Sequence, residues 1–490
     1  MKPIGFDGDA YLITQSEQIK KRIEQFGGKL YLEFGGKLFD DYHASRVLPG
    51  FAADSKVRLL RQLSDQAQII IVINAADIEK NKIRGDLGIT YDLDVLRQID
   101  AFRDAGLQVD SVVITQFTGQ RAAEKFKTRL EALGIRIYVH YPIAGYPSDI
   151  PLIASEEGYG KNDYIETTRP LVVVTAPGPG SGKMSMCLSQ LYHDHLRGIQ
   201  SGYAKFETFP TWNLPLRHPV NLAYEAATAD LDDLNMIDPY HLDAYGITAV
   251  NYNRDIEVFP VLEAIFTQIW GTCPYKSPTD MGVNMVGKCI RDEAIVEKAA
   301  EHEIIRRYYA AMCAQYQGLG TKEQVYKIEL LMNKAGISTA DRPVIAAAVA
   351  RAEEVQVPVA AIALPDGTIL TGKQSPLLGA SSAMLLNALK YLAGLDDAAL
   401  LIAPNIIEPV QELKAKLRSR DPRLSTDEVL IALSVCAVTD PRARAAMDQL
   451  PNLSGLEVHA SVLLSRADES VFFKLGVNVT CEPQYQTLYR

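Results

Sequence analysis

The sequence predicts an α/β protein with a mostly parallel, three-layer sheet in its N-terminal part, a helix-rich connection and a second α/β domain at its C-terminal end. Two observations lead to this fold class. Short, unbroken apolar runs alternate with amphipathic helical patterns, which is typical of strands buried on both faces of a parallel sheet. The chain also has 490 residues, which is too long for one hydrophobic core.

The elements of the N-terminal part follow from the spacing of apolar residues. Buried strands are predicted at residues 29–34, 68–73, 111–115, 135–139 and 171–175. Helices are predicted between and after them, at residues 54–64, 93–105, 120–133 and 183–197. Gly106 and Gly134 directly follow two of these helices, at the position where glycine commonly ends a helix. Strands and helices that alternate in this way form βαβ units, which predicts a Rossmann-like or P-loop-like sheet.

The pattern changes beyond residue 211. Residues 211–249 are rich in tyrosine, asparagine and aspartate and are predicted to form long loops, and an apolar helix is predicted to begin near Val258. Residues 290–316 are strongly helical and end at a glycine-rich turn, so we predict domains at residues 1–318 and 319–490. In the second domain, Asp366-Gly367 predicts a β-hairpin over residues 358–371, and a helix is predicted at residues 383–393.

Composition narrows the range of functions. The net charge of -10 argues against a general binder of nucleic acid or anionic membrane, because both partners require a basic face. No apolar run has the length of a membrane span, and we expect no secretory signal. The six cysteines are scattered without a CxxC pair, which predicts a reducing, cytoplasmic location and no structural zinc. His193 and His195 are two residues apart and cannot share a helix face, so we expect no metal there.

The best chemical signal lies between the strand at residues 171–175 and the helix that follows it. Glycines in this turn allow positive φ angles and close approach of a ligand, and a lysine adds positive charge at the helix N-terminus. Peptide N–H groups in such a turn point at a bound anion. We therefore predict a phosphate-binding site made by Gly178, Gly180, Ser181, Gly182, Lys183 and Ser185. The alternative is an architectural glycine-rich turn with an exposed lysine.

Residues 178–183 resemble the phosphate-binding loop of adenylate kinases and related P-loop nucleotide kinases. Two positions depart from the pattern GxxxxGK[ST], which has glycine in place of Pro177 and serine or threonine in place of Met184. Pro177 removes one amide donor, and Met184 cannot bind magnesium. Ser185 lies one residue later, about 100° further round the helix, so it is not an equivalent ligand. The cofactor is therefore left open, with a nucleotide, with or without magnesium, as the candidate.

A second candidate segment, residues 33–46, follows the first strand. Ligands of open α/β sheets bind outside the carboxyl ends of the strands, so this segment is expected to share an edge with the glycine-rich loop. Lys37 and Arg46 are the predicted phosphate partners, and Asp40, Asp41 and His43 are the predicted acid/base groups. The alternative is a polar surface turn whose charges are solvated.

Two further candidates lie later in the chain. Arg254 precedes the apolar helix near Val258 and is predicted to clamp a phosphate or carboxylate, although a surface carboxylate is an equally good partner. In the C-terminal domain, Lys373 and Ser375 are a predicted secondary anion site, with Ser381 as the N-cap of the following helix. A capped helix after a polar loop is the simpler interpretation of that segment.

Three stretches resemble a known family. Residues 29–51 (KLYLEFGGKLFDDYHASRVLPGF), 172–185 and 364–386 (LPDGTILTGKQSPLLGASSAMLL) are similar to the uncharacterised bacterial protein family 0371, and the likeness extends over nearly the whole chain. The resemblance implies a two-part α/β protein of bacterial origin. It implies no activity, substrate or catalytic residue.

Two functional hypotheses follow. The first is an enzyme of the phosphotransferase type that acts on a phosphorylated small molecule or nucleotide held by residues 178–183. Phosphoryl transfer depends mainly on positioning and charge neutralisation, which glycine amides and lysines supply. The second is a non-catalytic regulatory protein that binds a nucleotide or metabolite, because Pro177 and Met184 fit a loop that binds an anion without turnover. A homo-oligomer is the base expectation for either.

Overall fold

The structure is a computed structural model, and it describes residues 4–85, 87–417, 419 and 421–485. These residues form two compact units, one ending at Ala300 and one beginning at Glu301. The division falls within a single long helix, Glu293–Tyr316. The domain boundary expected from the sequence, at the glycine-rich turn after this helix, stays a prediction.

The N-terminal unit contains eleven strands and twelve helices within its described residues. The strands are β1 (Leu30–Phe34), β2 (Ala67–Asn74), β3 (Ile83–Arg84), β4 (Ile89–Thr90), β5 (Gln108–Thr115), β6 (Arg136–Val139), β7 (Leu171–Thr175), β8 (Gly202–Phe206), β9 (Asn235–Ile237), β10 (Val250–Tyr252) and β11 (Gly282–Val283). The helices are α1 (Gly8–Gln25), α2 (Tyr42–Val47), α3 (Ser55–Gln62), α4 (Ala75–Glu79), α5 (Tyr91–Asp104), α6 (Arg121–Ala132), α7 (Ile150–Ile153), α8 (Lys183–Leu196), α9 (Pro219–Ala227), α10 (Pro239–Tyr245), α11 (Asn253–Trp270) and α12 (Pro278–Met281). The long helix Glu293–Tyr316 is α13.

Seven of these strands form one all-parallel sheet, in the order β11-β8-β1-β7-β2-β5-β6. The predicted parallel α/β sheet is therefore confirmed. The chain moves from β1 outward through β2, β5 and β6, then returns to place β7 between β1 and β2 before continuing to β8 on the other side of β1. The direction of progress reverses between β1 and β7. Such a switch point is where open α/β sheets bind their ligands, in the crevice outside the carboxyl ends of the strands.

One face of the sheet is covered by α8 and α11. Apolar side chains from the central strands pack there against both helices in one buried cluster, which includes Val172, Val174, Leu188, Phe259 and Phe266. The N-terminus of α8 lies over the carboxyl edge of the sheet, because the loop that follows β7 leads into it. The first turn of α11 lies there too, since Asp255 in that turn contacts Lys205 near the carboxyl end of β8. The two helix N-termini therefore lie on the same side of the same edge.

Two expectations for this unit were wrong, and one strand was missed. The helix predicted to begin near Val258 begins at Asn253, and Pro260 lies inside it. Residues 211–249 are not loops throughout, because α9, α10 and β9 form within them. Strand β8 was not predicted at all, although it is fully buried and pairs with β1 over five residues. The missed strand matters because it brings a charged residue, Lys205, into the sheet.

The C-terminal unit contains a four-stranded mixed sheet and seven further helices among the residues that the structure describes. Its strands are β12 (Val359–Ala363), β13 (Ile369–Lys373), β14 (Glu457–Ala460) and β15 (Asn478–Cys481), in the order β13-β12-β14-β15. Its helices are α14 (Lys322–Ala335), α15 (Pro343–Val355), α16 (Ala380–Leu392), α17 (Pro404–Lys416), α18 (Thr426–Cys436), α19 (Pro441–Met447) and α20 (Arg466–Lys474). The hairpin predicted around Asp366-Gly367 is present as the antiparallel pair β12–β13.

A buried ion network crosses the C-terminal sheet. The Arg342 guanidinium donates to Glu457 and to Thr480 Oγ1, and Arg306 donates to the other oxygen of Glu457. Burial acts to raise the pKa of Glu457, but the two arginines outweigh it and the pKa lies below its usual value. The network therefore joins α13, β14, β15 and the residue preceding α15 through charges that compensate one another.

In the described part of the chain, no helix is both long and apolar enough to cross a membrane.

Candidate anion-binding site

The loop between β7 and α8 has a backbone that only glycine adopts readily at two positions. Gly180 has φ 75° and Gly182 has φ 89°, both in the left-handed region. Gly182 is the N-cap of α8, and no side chain hydrogen-bonds to the first turn of this helix. The first backbone amides of a helix have no partner within the helix, and here none is taken by a capping side chain. These amides are oriented as in known anion sites at helix N-termini.

Neighbouring strands hold this loop in place. Thr115 Oγ1, at the end of β5, donates to the Ser181 carbonyl at 2.7 Å, and Asn74, at the end of β2, donates to the Gly180 carbonyl at 3.3 Å. Ser181 is buried and its hydroxyl donates to the Gly178 carbonyl at 2.8 Å. A side chain at Gly178 would overlap the Tyr91 hydroxyl. The Ser181 hydroxyl therefore braces the loop, and the backbone amides are the groups left to face a ligand.

Lys183 is the first residue of α8. Its Nζ lies 4.0 Å from Glu33 Oε1, at the limit of an ion pair, and Glu33 accepts a 2.7 Å hydrogen bond from the Tyr203 hydroxyl. Met184 packs against the apolar cluster beneath α8, where a P-loop has its magnesium-binding hydroxyl. Ser185 is partly buried in the first turn of the helix. The loop thus supplies one cation, Lys183, and has methionine in place of the hydroxyl that binds magnesium in a P-loop.

The segment after β1 lies beside this loop, because β1 and β7 are adjacent parallel strands in register from Leu30 and Leu171. The expected shared edge is therefore present. Lys37 and Asp40 are exposed there, and Asp40 has φ 58°. The roles predicted for both stay predictions.

Asp41 has contacts that give it a structural role. Its side chain accepts from the Ala44 amide at 3.1 Å as the N-cap of α2, and it pairs with the buried ammonium of Lys56 at 2.8 Å. Burial acts to raise the pKa of Asp41, but Lys56 and the Ala44 amide outweigh it, so the pKa lies below its usual value. An acid/base group near neutral pH needs the opposite shift. The contacts of Asp41 therefore do not favour the acid/base role expected from the sequence, and that role stays a prediction.

His43 and Arg46 lie on the short helix α2 and are both partly buried. The His43 ring packs edge-on against Phe209, with ring centroids 5.2 Å apart. Arg254 is held by the nearly buried carboxylate of Asp233, with contacts of 2.6 and 2.9 Å, and lies against the Tyr252 ring. A ligand would have to displace Asp233 to be clamped by Arg254. The ligand roles of these residues stay predictions.

A buried charged cluster at the end of β8 was not expected from the sequence. The Lys205 ammonium donates to both carboxylate oxygens of Asp255, at 2.8 and 2.6 Å, and lies 2.9 Å from Glu207 Oε1. The Tyr252 hydroxyl donates to Glu207 Oε1 and accepts from Lys205. The cluster lines a cavity of about 40 Å³. Glu33 faces it from β1, because Glu33 and Lys205 are paired in register.

The titration of this cluster is unusual. Burial raises the pKa of Glu207 to about 7; Lys205 acts to lower it and Asp255 to raise it. Burial acts to lower the pKa of Lys205, but Asp255 and Glu207 outweigh it, so Lys205 keeps its charge. The carboxylates of Glu207 and Asp255 lie against the single ammonium of Lys205, which leaves one negative charge unbalanced. Protonation of Glu207 removes this charge. Carboxyls with such shifts in clefts are candidates for proton transfer.

Glu207→Gln is expected to remove part of the pH dependence of stability. The pKa of Glu207 is raised from 4.5 to about 7 in the folded chain, so the folded state holds an extra proton between these values. Stability therefore falls as pH rises through this window, by about 2–3 kcal/mol. Urea unfolding at pH 5 and pH 8 should show this loss in the parent chain but not in the variant. Both chains keep Lys205, Asp255 and Tyr252, so the comparison isolates the Glu207 carboxyl. Equal pH dependence of stability in the two chains would contradict the raised pKa of Glu207.

A possible metal cluster elsewhere in the unit is better explained without a metal. Ligand atoms of His218, Glu293 and Glu297 lie within 4.8 Å of one another. His218 Nδ1 accepts from the Val220 amide as the N-cap of α9, so the ring proton is on Nε2, which lies 2.6 Å from Glu293. A metal on Nε2 would need that nitrogen unprotonated. The hydrogen bonds present therefore oppose metal binding at this group.

The secondary anion segment lies in the C-terminal unit, and one of its assignments was wrong. Ser381 is not the N-cap, because α16 begins at Ala380 and Gly379 occupies that position. Helix propensity of the small residues before Ala383 extends the helix backwards by three residues. Ser375 Oγ accepts from the Leu377 and Leu378 amides in a local turn, and Lys373 is exposed at the end of β13. The anion-binding roles of Lys373 and Ser375 stay predictions.

Comparison with known proteins places the chain in a family. Residues 4–336 match the family described as domain of unknown function DUF1846, N-terminal, and residues 340–489 match DUF1846, C-terminal. The chain is 55% identical over 493 residues to the UPF0371 protein of Streptococcus thermophilus, with 100% of both chains covered. It is 57% identical over 487 residues to the UPF0371 protein of Corynebacterium aurimucosum, with 99% of this chain and 98% of the relative covered. The chain therefore belongs to the UPF0371 family, which has the two DUF1846 domains.

Proposed function

We propose that this protein binds a phosphorylated small molecule or nucleotide through residues 178–183, with a phosphate group at the N-terminus of α8. The observation that carries the proposal is the backbone of this loop. Gly180 and Gly182 are left-handed, Gly182 is the N-cap of the helix, and it has no side chain that could hydrogen-bond to the amides of the first turn. The loop also lies at the switch point between β1 and β7, where ligands of such sheets bind.

The charges around the loop favour an anion that can replace Glu33. The Lys183 ammonium is 4.0 Å from Glu33, which is a long contact, and Glu33 has a second partner in Tyr203. A phosphate oxygen at the α8 amides would accept directly from Lys183, and the charged hydrogen bond formed there contributes about 1.5–3 kcal/mol. Lys205 is held by two carboxylates and is not available in the same way.

For an enzyme of the phosphotransferase type, we infer that Glu207 is the acid/base group of the site. Its carboxyl is at the end of β8, separated from β7 only by β1, which corresponds to about 10 Å. A Cβ at Gly35, directly after β1, would lie 3.2 Å from Glu207 Oε1, so glycine leaves this side of the carboxyl uncrowded. A small phosphorylated compound spans the distance from β7 to β8. Asp40 and His43 remain the alternative acid/base groups predicted from the sequence.

The second candidate function is non-catalytic binding of a nucleotide or metabolite. The position of Met184 favours it, because this side chain packs into the core where a magnesium-binding hydroxyl stands in P-loop enzymes. A regulator needs the anion site but not the magnesium ligand. The two functions predict the same binding loop and differ only in turnover.

Lys183→Ala is expected to weaken binding of inorganic phosphate by about tenfold to a hundredfold, because one charged hydrogen bond is lost. Isothermal titration of the full chain with phosphate measures the affinity. Lys322→Ala is the matched control, since Lys322 is also the first residue of a 14-residue helix but has a threonine cap, Thr321. Lys183→Arg keeps the charge and should retain part of the affinity. Equal affinity in the parent chain and Lys183→Ala would refute the proposal.

The same titration separates the two functions. Sugar phosphates and nucleotides are tested with and without magnesium, and each mixture is assayed for conversion. Conversion that is lost in both Lys183→Ala and Glu207→Gln supports the enzyme. Binding without conversion, lost only in Lys183→Ala, supports the regulator.

A further inference from the structure

The C-terminal unit contains two cysteines from distant parts of the chain whose sulfur atoms face each other. Cys313, in the last turns of α13, and Cys481, at the end of β15, have their Sγ atoms 3.6 Å apart. They are separated by 168 positions in the sequence. Cys313 Sγ also donates to the Cys481 carbonyl at 3.3 Å. The fold, and not the local sequence, brings these thiols together.

We propose that Cys313 and Cys481 form a redox-modification site that takes a small disulfide as its oxidant and closes into an intramolecular disulfide. The sulfur atoms have to approach by about 1.5 Å to reach bonding distance. This movement is within the reach of side-chain rotation, since Cys313 is only partly buried. No other pair of cysteine sulfurs is in contact in the part of the chain that the structure describes.

The surroundings assign different roles to the two thiols. A hydrogen bond from Cys313 lowers the pKa of Cys481, and burial opposes this lowering. The same hydrogen bond, together with burial, raises the pKa of Cys313. The lowered pKa favours Cys481 as the thiolate that attacks first, with Cys313 as the resolving thiol; the same disulfide forms if the order is reversed. Glu469 and Glu482 are the charged groups that act on this pair, so a neutral disulfide is a better oxidant than an anionic one.

The reaction balances as thiol–disulfide exchange. The Cys481 thiolate attacks one sulfur of the small disulfide, which breaks its S–S bond and releases one small thiolate. Cys313 then loses its proton and attacks Cys481 Sγ in the mixed disulfide, which releases the second small thiolate. The two protons of the protein thiols pass to the two released thiolates. Two electrons move from the protein to the small disulfide, which is reduced to two thiols.

The product would tie the end of α13 to the last strand of the C-terminal sheet. Tyr309, one turn before Cys313 on the same helix, already contacts this region through Glu482 and the His459 ring. A bond closing so long a loop restricts the unfolded chain strongly and should raise the Tm by about 5 °C or more. The modification therefore has a readout in stability that requires no knowledge of a substrate.

The test uses the reduced full chain and bis(hydroxyethyl) disulfide, a neutral oxidant. The structure has six free cysteines, so the proposal expects titratable thiols in denaturant to fall from six to four (six minus two). Peptide mapping without reductant should then show residues 313 and 481 linked, and dithiothreitol should restore all six thiols and the original Tm. Six remaining thiols, or a link between other cysteines, would overturn the proposal.

Single-cysteine variants sharpen the result. Cys313→Ser and Cys481→Ser should each abolish the linked peptide and the rise in Tm, and Cys313→Ala provides an apolar variant if serine prevents folding. Cys436→Ser is the matched control, because Cys436 is a buried cysteine of the same unit. That variant should still form the link. A Tm rise on oxidation that persists in Cys313→Ala would show that the stabilisation has another source and would refute the assignment.

Discussion

Replacing Arg342 by methionine is expected to lower the free energy of unfolding by about 3–5 kcal/mol, because it removes a partner from a buried carboxylate. The Arg342 side chain has no exposed surface, and it donates to Glu457 Oε2 at 3.1 and 2.6 Å and to Thr480 at 2.8 Å. Arg306 holds only the other oxygen of Glu457. Methionine fills much of the volume of arginine. The loss of stability therefore measures the missing charge interaction with Glu457 and not the cost of a cavity. Urea denaturation of the full chain measures it.

Two further variants test the reason for this loss. Arg442 is paired with Asp440 in the same unit but is more than half exposed, so Arg442→Met should leave the unfolding midpoint unchanged. Adding Glu457→Gln to Arg342→Met removes a carboxylate that has lost one of its two arginine partners, and it should recover part of the lost stability. Glu457→Gln alone completes the comparison. If the stability lost in the double variant equalled the sum of the losses in Arg342→Met and Glu457→Gln, Arg342 and Glu457 would not act as a unit.

Gly372→Ala is expected to cost about 3 kcal/mol or more, because the new methyl group has no space. Gly372 is buried in β13, and a Cβ at this position would overlap the backbone nitrogen and Cα of Met384 in α16. Neither atom belongs to a flexible side chain, so the overlap is relieved only by moving the helix away from the strand. Thermal unfolding of the full chain should show the loss as a lower Tm.

Gly379→Ala is the matched control in the same unit. Gly379 has φ -64°, and the nearest atom to an added Cβ is the Leu424 carbonyl oxygen at 3.6 Å, an ordinary contact. Alanine should therefore fit without overlap, and the fall in Tm should be well below that of Gly372→Ala, because only the N-cap preference of glycine over alanine is lost. If both variants lost stability equally, the close approach of α16 to β13 would not be the cause.

The fold was predictable where strands are continuous apolar runs. Strands such as β2 and β7 are buried on both faces and each contains an unbroken run of Val, Ile or Leu, so burial leaves a direct trace in their composition. Strand β8 has the sequence GYAKF and contains a lysine, yet all five residues are buried. A buried lysine is stable there only because Asp255 and Glu207 surround it, and this compensation is invisible in the local sequence.

The candidate site was predictable only in part for a similar reason. The loop at residues 178–183 is a local feature, since its glycines and lysine are consecutive, and its position after β7 followed from the predicted strand. The cluster of Lys205, Glu207, Tyr252 and Asp255 combines separate segments, so it depends on the place of β8 beside β1. Sequence order does not specify which strands become neighbours. Asp233 likewise approaches Arg254 only after the chain has folded.

The order of the strands has a consequence for association between copies of the chain. The large sheet ends on one side in β11, which has two residues, and on the other in β6, which has four and begins with the exposed Arg136. Unpaired strand edges are templates for pairing with another chain, and short, charged edges are poor templates. Both edges of the large sheet are therefore poor templates for edge-to-edge pairing with a second copy of the chain.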